Sequence, residues 1–489
     1  MAERDVAPGP VRVAHVALVR PGFKGDAAAA VRRSREGLRA LLTRFGAEAV
    51  IPDAGAARHP RDGQAFPAGV VTDAAEAGAV AQRLAEADAD LVLLQHVTFA
   101  TGELVAPLIE ASRRVAVWAL PEPGPGTGPL PFNALCGMQM TLSLLDAPPL
   151  SRGGPVRWFH GEVDEARFAR PFATTLAALR AARAVERARV LRIGGTAPGF
   201  YALEEAPAAL ASATVVDASL EQLFRAIEAV PDADAERRAD RATQGHHVEV
   251  DRETLLRGAR IEAALERMAD EADAQALAVR CWPELPDRCD AMACAAMGTL
   301  AGDGRPAACE GDAMGALSML ALQAAAQAPA ILMDLSDLDE PDDALLLWHC
   351  GNAPAVWADP DGPRPRLTTH FNRDGVGPVR DETLRPGPIT GFRLMDGGRS
   401  GVIAGGTLAG ATRDGFDGVR GWWRAPTWVD RSLPARRFLA ELLEQRVPHH
   451  LAFAHGDHRA ALVEACGWLG AEVRPVQTRP FADDAGAPA

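Results

Sequence analysis

Glu310, Asp334 and His450 are the residues of this chain whose types and placement could hold a cation and move protons. Glu310 lies in ACEGDAMGALSML, after a short apolar stretch and ahead of an Ala/Leu/Met helix. Asp334 ends the strand-like AILMD, and His450 belongs to the pair His449–His450 that opens the strand HHLAFAHGD. Strand ends are where α/β proteins place their ligands. Two carboxylates and an imidazole offer oxygen and nitrogen donors, a set suited to Mn²⁺, Co²⁺ or Mg²⁺ with no thiolate required. Each residue also has an ordinary reading. An Asp after a strand commonly caps a helix or turn. A Glu before Gly-Asp is as often a solvated loop carboxylate, and a His at a strand start is often a hydrogen-bonded structural residue. Taken singly, the ordinary readings prevail.

The elements that must position these residues fall into three groups. Residues 11–20, 48–52, 90–96 and 115–120 read as strands, with helical segments at 26–44, 74–87 and 104–112 between them. Continuous apolar strands alternating with helices predict a parallel sheet covered on both faces. The Gly/Pro-dense stretch 121–131 is a connector. A second α/β unit follows, with a helix over 165–184, strands at 188–194, 213–218, 276–282 and 330–334, and a charged helix over 252–272. From Leu345 onward come short runs (LLLWHC, RLTTHF, GPITGFRLM, GVIAGGTL) separated by Gly and Pro, the pattern of an antiparallel sheet or barrel. Helices over 435–445 and 459–469 bracket the strand 449–455. The expected division is an α/β domain over 1–155, a second over 156–335 carrying Glu310 and Asp334, and a β-rich domain over 336–489 carrying His450.

Composition narrows the partners. The 51 basic and 65 acidic residues leave a net charge of -14, the wrong sign for nucleic acid or an anionic membrane. No apolar run approaches the roughly 20 residues of a membrane-spanning helix, and residues 1–10 lack the pattern of a signal peptide. Seven scattered cysteines, odd in number and without a CxxC pair, predict free thiols and a cytoplasmic protein. A zinc site at Cys281, Cys289 and Cys294 is the lesser alternative.

Read in order, RCWPEL (280–285), ACEGD (308–312), ILMDLSD (331–337), WHCGN (348–352), THFN (369–372), GPITGFRL (387–394) and HHLAFAHGDHRAALVEACGWLG (449–470) resemble the L-fucose/L-arabinose isomerase family, in particular its L-fucose isomerase-like sugar isomerases. The resemblance covers the whole chain in architecture, with its specific motifs between about 276 and 470. It implies two Rossmann-like domains followed by a barrel-like β domain. It also implies a divalent ion, Mn²⁺ first, held by Glu310, Asp334 and His450, which match the family's ligands in type, order and spacing. His349 falls where arabinose-type members use a further histidine, so it is an extra ligand or a donor behind the ligands. By the same resemblance Glu310 and Asp334 double as acid/base groups in an enediolate mechanism, and the protein is a trimer or hexamer acting on a free sugar.

Five further positions are open. Trp282 and Trp423 could wall a sugar pocket or be ordinary core, and His449 could touch substrate. Arg20, with Lys24 in LVRPGFKGD, lies where relatives reach into a neighbouring subunit's site, or is a surface cation. Asp312, Ser318 and Asp337 read as local caps. The loop GGTAPG (194–199) lacks P-loop and GxGxxG features, so its glycines serve a tight turn or a close backbone approach rather than a nucleotide. The alternatives to an aldose–ketose isomerase are a non-catalytic sugar-binding protein and a metal-dependent sugar or sugar-acid epimerase or decarboxylase.

Overall fold

A computed structural model describes residues 9–55, 65–124, 126–151, 154–204, 213–373, 375–410 and 416–477. Its compact units are Pro8–Arg183 and the chain from Ala184 onward.

The first unit is built on a parallel sheet in the order Ala47–Val50, Val11–Leu18, Leu91–His96, Val115–Ala119, Arg157–His160, with Val70–Val71 beside the second of these. Its central strands are buried along their whole length, as their unbroken apolar sequences require. Helices Ala27–Arg44 and Ala74–Glu86 start on Asp26 and Asp73, whose side chains accept the N–H groups of Ala29 and Glu76. The helix Ala134–Asp146 and the strand Arg157–His160 were not legible as elements in the sequence.

Two histidines sit wholly inside this sheet. Burial, with the nearby Arg35 guanidinium, brings His15 down to about 3, and burial brings His96 down to about 4. Both are neutral in the folded state, whereas an unfolded chain protonates histidine below about 6.5. The folded pKa is therefore the lower one, and stability is full above that pH and falls as pH drops toward 4. Each contributes about 1.4 kcal/mol per pH unit well inside that window. Urea unfolding is expected to lose at least about 2 kcal/mol between pH 6 and pH 5; a flat response there would contradict neutral burial.

The second unit contains a four-stranded parallel sheet, in the order Ala307–Ala308, Ala276–Val279, Arg189–Ile193, Thr214–Ala218. It also contains an eleven-stranded, mostly antiparallel sheet. Within the latter, Ser400–Ala409, Gly387–Met395, His450–His455, Ile331–Asp339, Ala344–His349 and Val419–Trp428 pair antiparallel in that order. The last strand pairs back onto the first, closing a barrel. Ile331, Met333, Leu345, Leu347, Trp423, Leu451 and Phe453 share its apolar core. The expected combination of parallel α/β sheets and a C-terminal antiparallel barrel is thus the observed fold class.

One boundary moves. The strand expected to stop at Asp334 continues to Asp339, pairing with Ala344–His349 across a bulge between Leu335 and Asp337. Polar LSDLD conceals it because Leu335 to Leu338 are exposed or half-buried. Asp334 is therefore inside a strand, not at its end. Among the described residues no helix is long and apolar enough to cross a membrane.

Candidate functional site

Asp334 and His450 face one another across one rung of the barrel, on adjacent antiparallel strands. Their neighbours Met333 and Leu451 point into the core, so alternation turns both polar side chains to the other face. Glu310 arrives from a tight turn between the strand Ala307–Ala308 and the helix Ala313–Ala326. That turn is left-handed at both Glu310 (φ 60°) and Gly311 (φ 76°). A Cβ at Gly311 would stand 2.1 Å from the carbonyl oxygen of Gly195, and the Ala197 N–H donates to the Glu310 carbonyl at 2.9 Å. The 194–199 loop, expected to make a tight turn or a close backbone approach to substrate, lays its backbone against the turn that carries Glu310.

The three side chains converge on His450 Nε2. Asp334 Oδ1 is 3.6 Å from it and Glu310 Oε2 is 3.7 Å from it. What fixes the ring is Asp312. Its carboxylate accepts two hydrogen bonds from Arg393, 2.5 and 3.0 Å, caps the following helix through the Gly315 N–H at 2.7 Å, and accepts from His450 Nδ1 at 2.9 Å. Asp312 and Arg393 are completely buried. Burial alone would push the Asp312 carboxyl up, but the Arg393 guanidinium and the His450 hydrogen bond hold it well below the usual carboxylate range. A carboxylate so held can only accept, so Nδ1 of His450 carries a hydrogen and Nε2 is the atom turned toward Glu310 and Asp334.

Nε2 faces two carboxylate oxygens. Asp334 Oδ1 is buried and without a hydrogen-bond partner. The separations exceed N–H···O range, yet ligands about 2.1–2.2 Å from one octahedral ion stand about 3.0–4.4 Å apart. Each carboxylate oxygen thus stands at a ligand-to-ligand distance from His450 Nε2. Among the described residues, ligand atoms all lie within 4.8 Å of one another in two clusters, Glu310 with His449 and His450, and Cys309 with His349 and His450; Asp334 belongs to neither. The Cys281, Cys289 and Cys294 trio forms no such cluster, and all seven cysteines are free.

Around Glu310 the walls are aromatic. Trp282 Nε1 donates to its Oε1 at 3.4 Å and His449 Nε2 donates to its Oε2 at 3.2 Å. Phe200 packs edge-on against Trp282 and tilted against His449. Burial pushes the Glu310 carboxyl up, while the His449 hydrogen bond and the charges of His450 and His449 outweigh it and lower it. His449, half-exposed, is raised in turn: burial opposes this, but the Glu310 hydrogen bond and the Asp334 charge prevail.

His349 is buried, with Nε2 3.0 Å from Cys309 Sγ. Its Nδ1 accepts the Cys350 backbone N–H at 2.9 Å. Its ring also supplies one atom of the Cys309–His349–His450 cluster. Trp423 is sealed in the barrel core against Phe438 and Phe453. The sugar-wall reading does not survive for it, because a ring with no exposed surface offers none to a ligand. Arg20 belongs to the other unit, where it is exposed, donates its backbone N–H to Thr98 and stands over Phe99. Asp312, expected as a cap, is one, but its larger part is to orient His450. Cys309 was passed over in the sequence altogether.

No protein-family model matches the chain. It is 28% identical over 395 residues to sulfoquinovose isomerase of Priestia aryabhattai, covering 79% of this chain and 85% of that protein, and the same holds for sulfoquinovose isomerase of Priestia megaterium. A third relative, sulfoquinovose isomerase of Alkalicoccus urumqiensis, is 29% identical over 381 residues, covering 75% of this chain and 82% of its own. Similarity of this extent marks the chain as an enzyme of the sugar aldose–ketose isomerase type, an intramolecular oxidoreductase.

Proposed function

We propose that this chain interconverts a free aldose and its ketose at the Glu310–Asp334–His450 centre, with a divalent cation as cofactor and Mn²⁺ as the first choice. The observation that carries the reading is His450 Nε2, its ring held by Asp312, facing two carboxylate oxygens of which one is buried and unpartnered. The resemblance to L-fucose/L-arabinose isomerases supports the same three residues. The substrate we favour is a hexose bearing a sulfonate, since the relatives are named for sulfoquinovose.

Isomerisation moves a hydrogen between C1 and C2 and a second between the two oxygens. When bound, the cation would act as a Lewis acid on the carbonyl and acidify the neighbouring hydroxyl. Glu310 removes the carbon-bound proton from one carbon and returns it to the other, through an enediolate. The N–H groups of Trp282 and His449 fix its two oxygens, so the carboxylate meets the sugar in one orientation. Asp334 Oδ1, without a hydrogen-bond partner, passes the hydroxyl proton. Phe200 and Trp282 provide apolar ring surface for the sugar's C–H face. General acid–base help of this kind contributes about 10²–10⁴-fold.

Exhaustive chelation is expected to abolish ketose formation from sulfoquinovose and Mn²⁺ to restore it, followed by NMR of the products. L-Fucose and L-arabinose in the same assay test the substrate. Full turnover by metal-free protein would overturn the cofactor, and ketose from L-fucose but not sulfoquinovose would overturn the sulfonated substrate.

A further inference from the structure

Arg420 stands on the same rung as Asp334 and His450. His450, Asp334, Trp348 and Arg420 lie opposite one another across four adjacent antiparallel strands, so their side chains leave the same face of the barrel. Neighbouring strands are about 4.8 Å apart, which puts Arg420 about 10 Å from Asp334 along the rung, with Trp348 between them. The guanidinium is half-buried. Its Nη1 donates to the Asp381 carboxylate and to the Gly418 carbonyl, both at 2.7 Å. Among the described residues, Nε and Nη2 have no hydrogen-bond partner. Those two N–H groups make the edge of a guanidinium that holds two oxygens of one anion.

Rings line the way to it. Trp348 is pinned through Nε1, which donates to the Asp417 carbonyl at 2.9 Å. Gly418 lets the indole sit close, since a Cβ there would stand 3.0 Å from that nitrogen. Phe371 meets the indole edge-on, 5.0 Å between centroids, and is itself 52% exposed. Two adjoining rings, one of them open to solvent, suit the C–H face of a sugar.

We propose that Arg420 is the sulfonate-binding residue of this centre, gripping the far end of a hexose that lies along Trp348 with its carbonyl end at Asp334. This rests on the isomerase reading above and names the residue behind its substrate class. A six-carbon chain with a sulfonate at C6 can span the separation. Charge around the fork then selects among tetrahedral anions. Two cations, Arg420 and Arg366, meet three carboxylates, those of Asp381, Asp417 and Glu249. A phosphate ester, nearly a dianion, is repelled by that surplus of negative charge, whereas a sulfonate carries one charge and is held by the directed donors. The subsite therefore takes a C6 sulfonate and disfavours a C6 phosphate.

The test follows ketose formation from sulfoquinovose by the full-length protein with Mn²⁺, using 6-deoxy-D-glucose, the same sugar without its sulfonate, and D-glucose 6-phosphate as competitors. In the wild-type protein, 6-deoxy-D-glucose should bind about 100-fold more weakly than sulfoquinovose, the effect of losing hydrogen bonds to a charged group. The phosphate ester should bind at least about 10-fold more weakly. Arg420→Met should raise KM for sulfoquinovose about 100-fold with little change in kcat, and leave the inhibition constant of 6-deoxy-D-glucose as it was. Arg420→Lys keeps a cation beside Asp381 and so carries the test even if the Met variant fails to fold. It should show a KM about 10-fold above wild type, because an ammonium supplies charge without the fork. An unchanged KM would overturn the proposal, as would equal weakening of both sugars, the result of a purely structural Arg420–Asp381 pair. A phosphate ester that binds as tightly as sulfoquinovose would overturn it too. Each of these outcomes leaves the isomerase reading standing. Ketose from another aldose but not from sulfoquinovose would overturn the subsite and the sulfonated substrate together, and ketose from no aldose would overturn the isomerase reading with them.

Discussion

Glu310→Gln is expected to lower turnover by about 10²–10⁴-fold while leaving the melting temperature nearly unchanged. The substitution keeps the side-chain volume and one acceptor oxygen, so Trp282 retains a partner, but the amide cannot take a proton from carbon. One oxygen becomes an NH₂ that meets the His449 N–H, and part of the loss will come from that clash of donors. The measurement that isolates the assigned role is exchange of the C2 hydrogen of the aldose with solvent deuterium, followed by NMR. It should cease with turnover. Exchange at the wild-type rate in the variant would place the base elsewhere.

Arg393→Leu should have the largest effect on folding. Arg393 and Asp312 are both without exposed surface, and the guanidinium supplies two of the hydrogen bonds that keep the acid ionised. Removing one partner of such a pair costs about 3–5 kcal/mol, because the other charge is left buried and uncompensated. Replacing both, as Arg393→Leu with Asp312→Leu, should recover part of that stability, since apolar substitutes for a buried pair are often neutral or better. It should not recover metal binding. Without Asp312 nothing orients His450 Nδ1, and loss of such an outer partner lowers metal affinity about 10–100-fold. Urea unfolding with Mn²⁺ titration calorimetry separates the two quantities. A loss under 1 kcal/mol in the single variant, or full Mn²⁺ affinity in the double, would sink the assignment.

These two residues also show where sequence reasoning ran out. Glu310, Asp334 and His450 could be picked out by side-chain chemistry and by their ordered motifs, and the geometry gathers them around one nitrogen. The Asp312–Arg393 pair could not be seen, because its members are 81 positions apart and neither has a local pattern that names the other. Asp312 carried only its short-range signal, a capping acid ahead of a helix, and that signal is real. Cys309 looked like any apolar-run thiol, since its significance comes from His349 and His450, 40 and 141 positions away. The helix Cys294–Gly302 was missed for a different reason: nearly all its residues are buried, so no polar face marks a helical period. The strand Val419–Trp428, which closes the barrel, carries a proline and two arginines and so breaks the expected alternation.

The rung that joins Asp334 to His450 has an implication for how such an enzyme diversifies. Two of the three proposed ligands are fixed by a barrel whose register cannot slip by one residue without exchanging core and ligand faces. The wall around Glu310 is different in kind, because Phe200 comes from a connecting segment that can be lengthened or recast at little cost to the barrel. Exchanging Phe200 alone, with the Gly195–Ala197 backbone that holds the Glu310 turn kept, should therefore change which sugar is accepted and leave the affinity for the cation as it was.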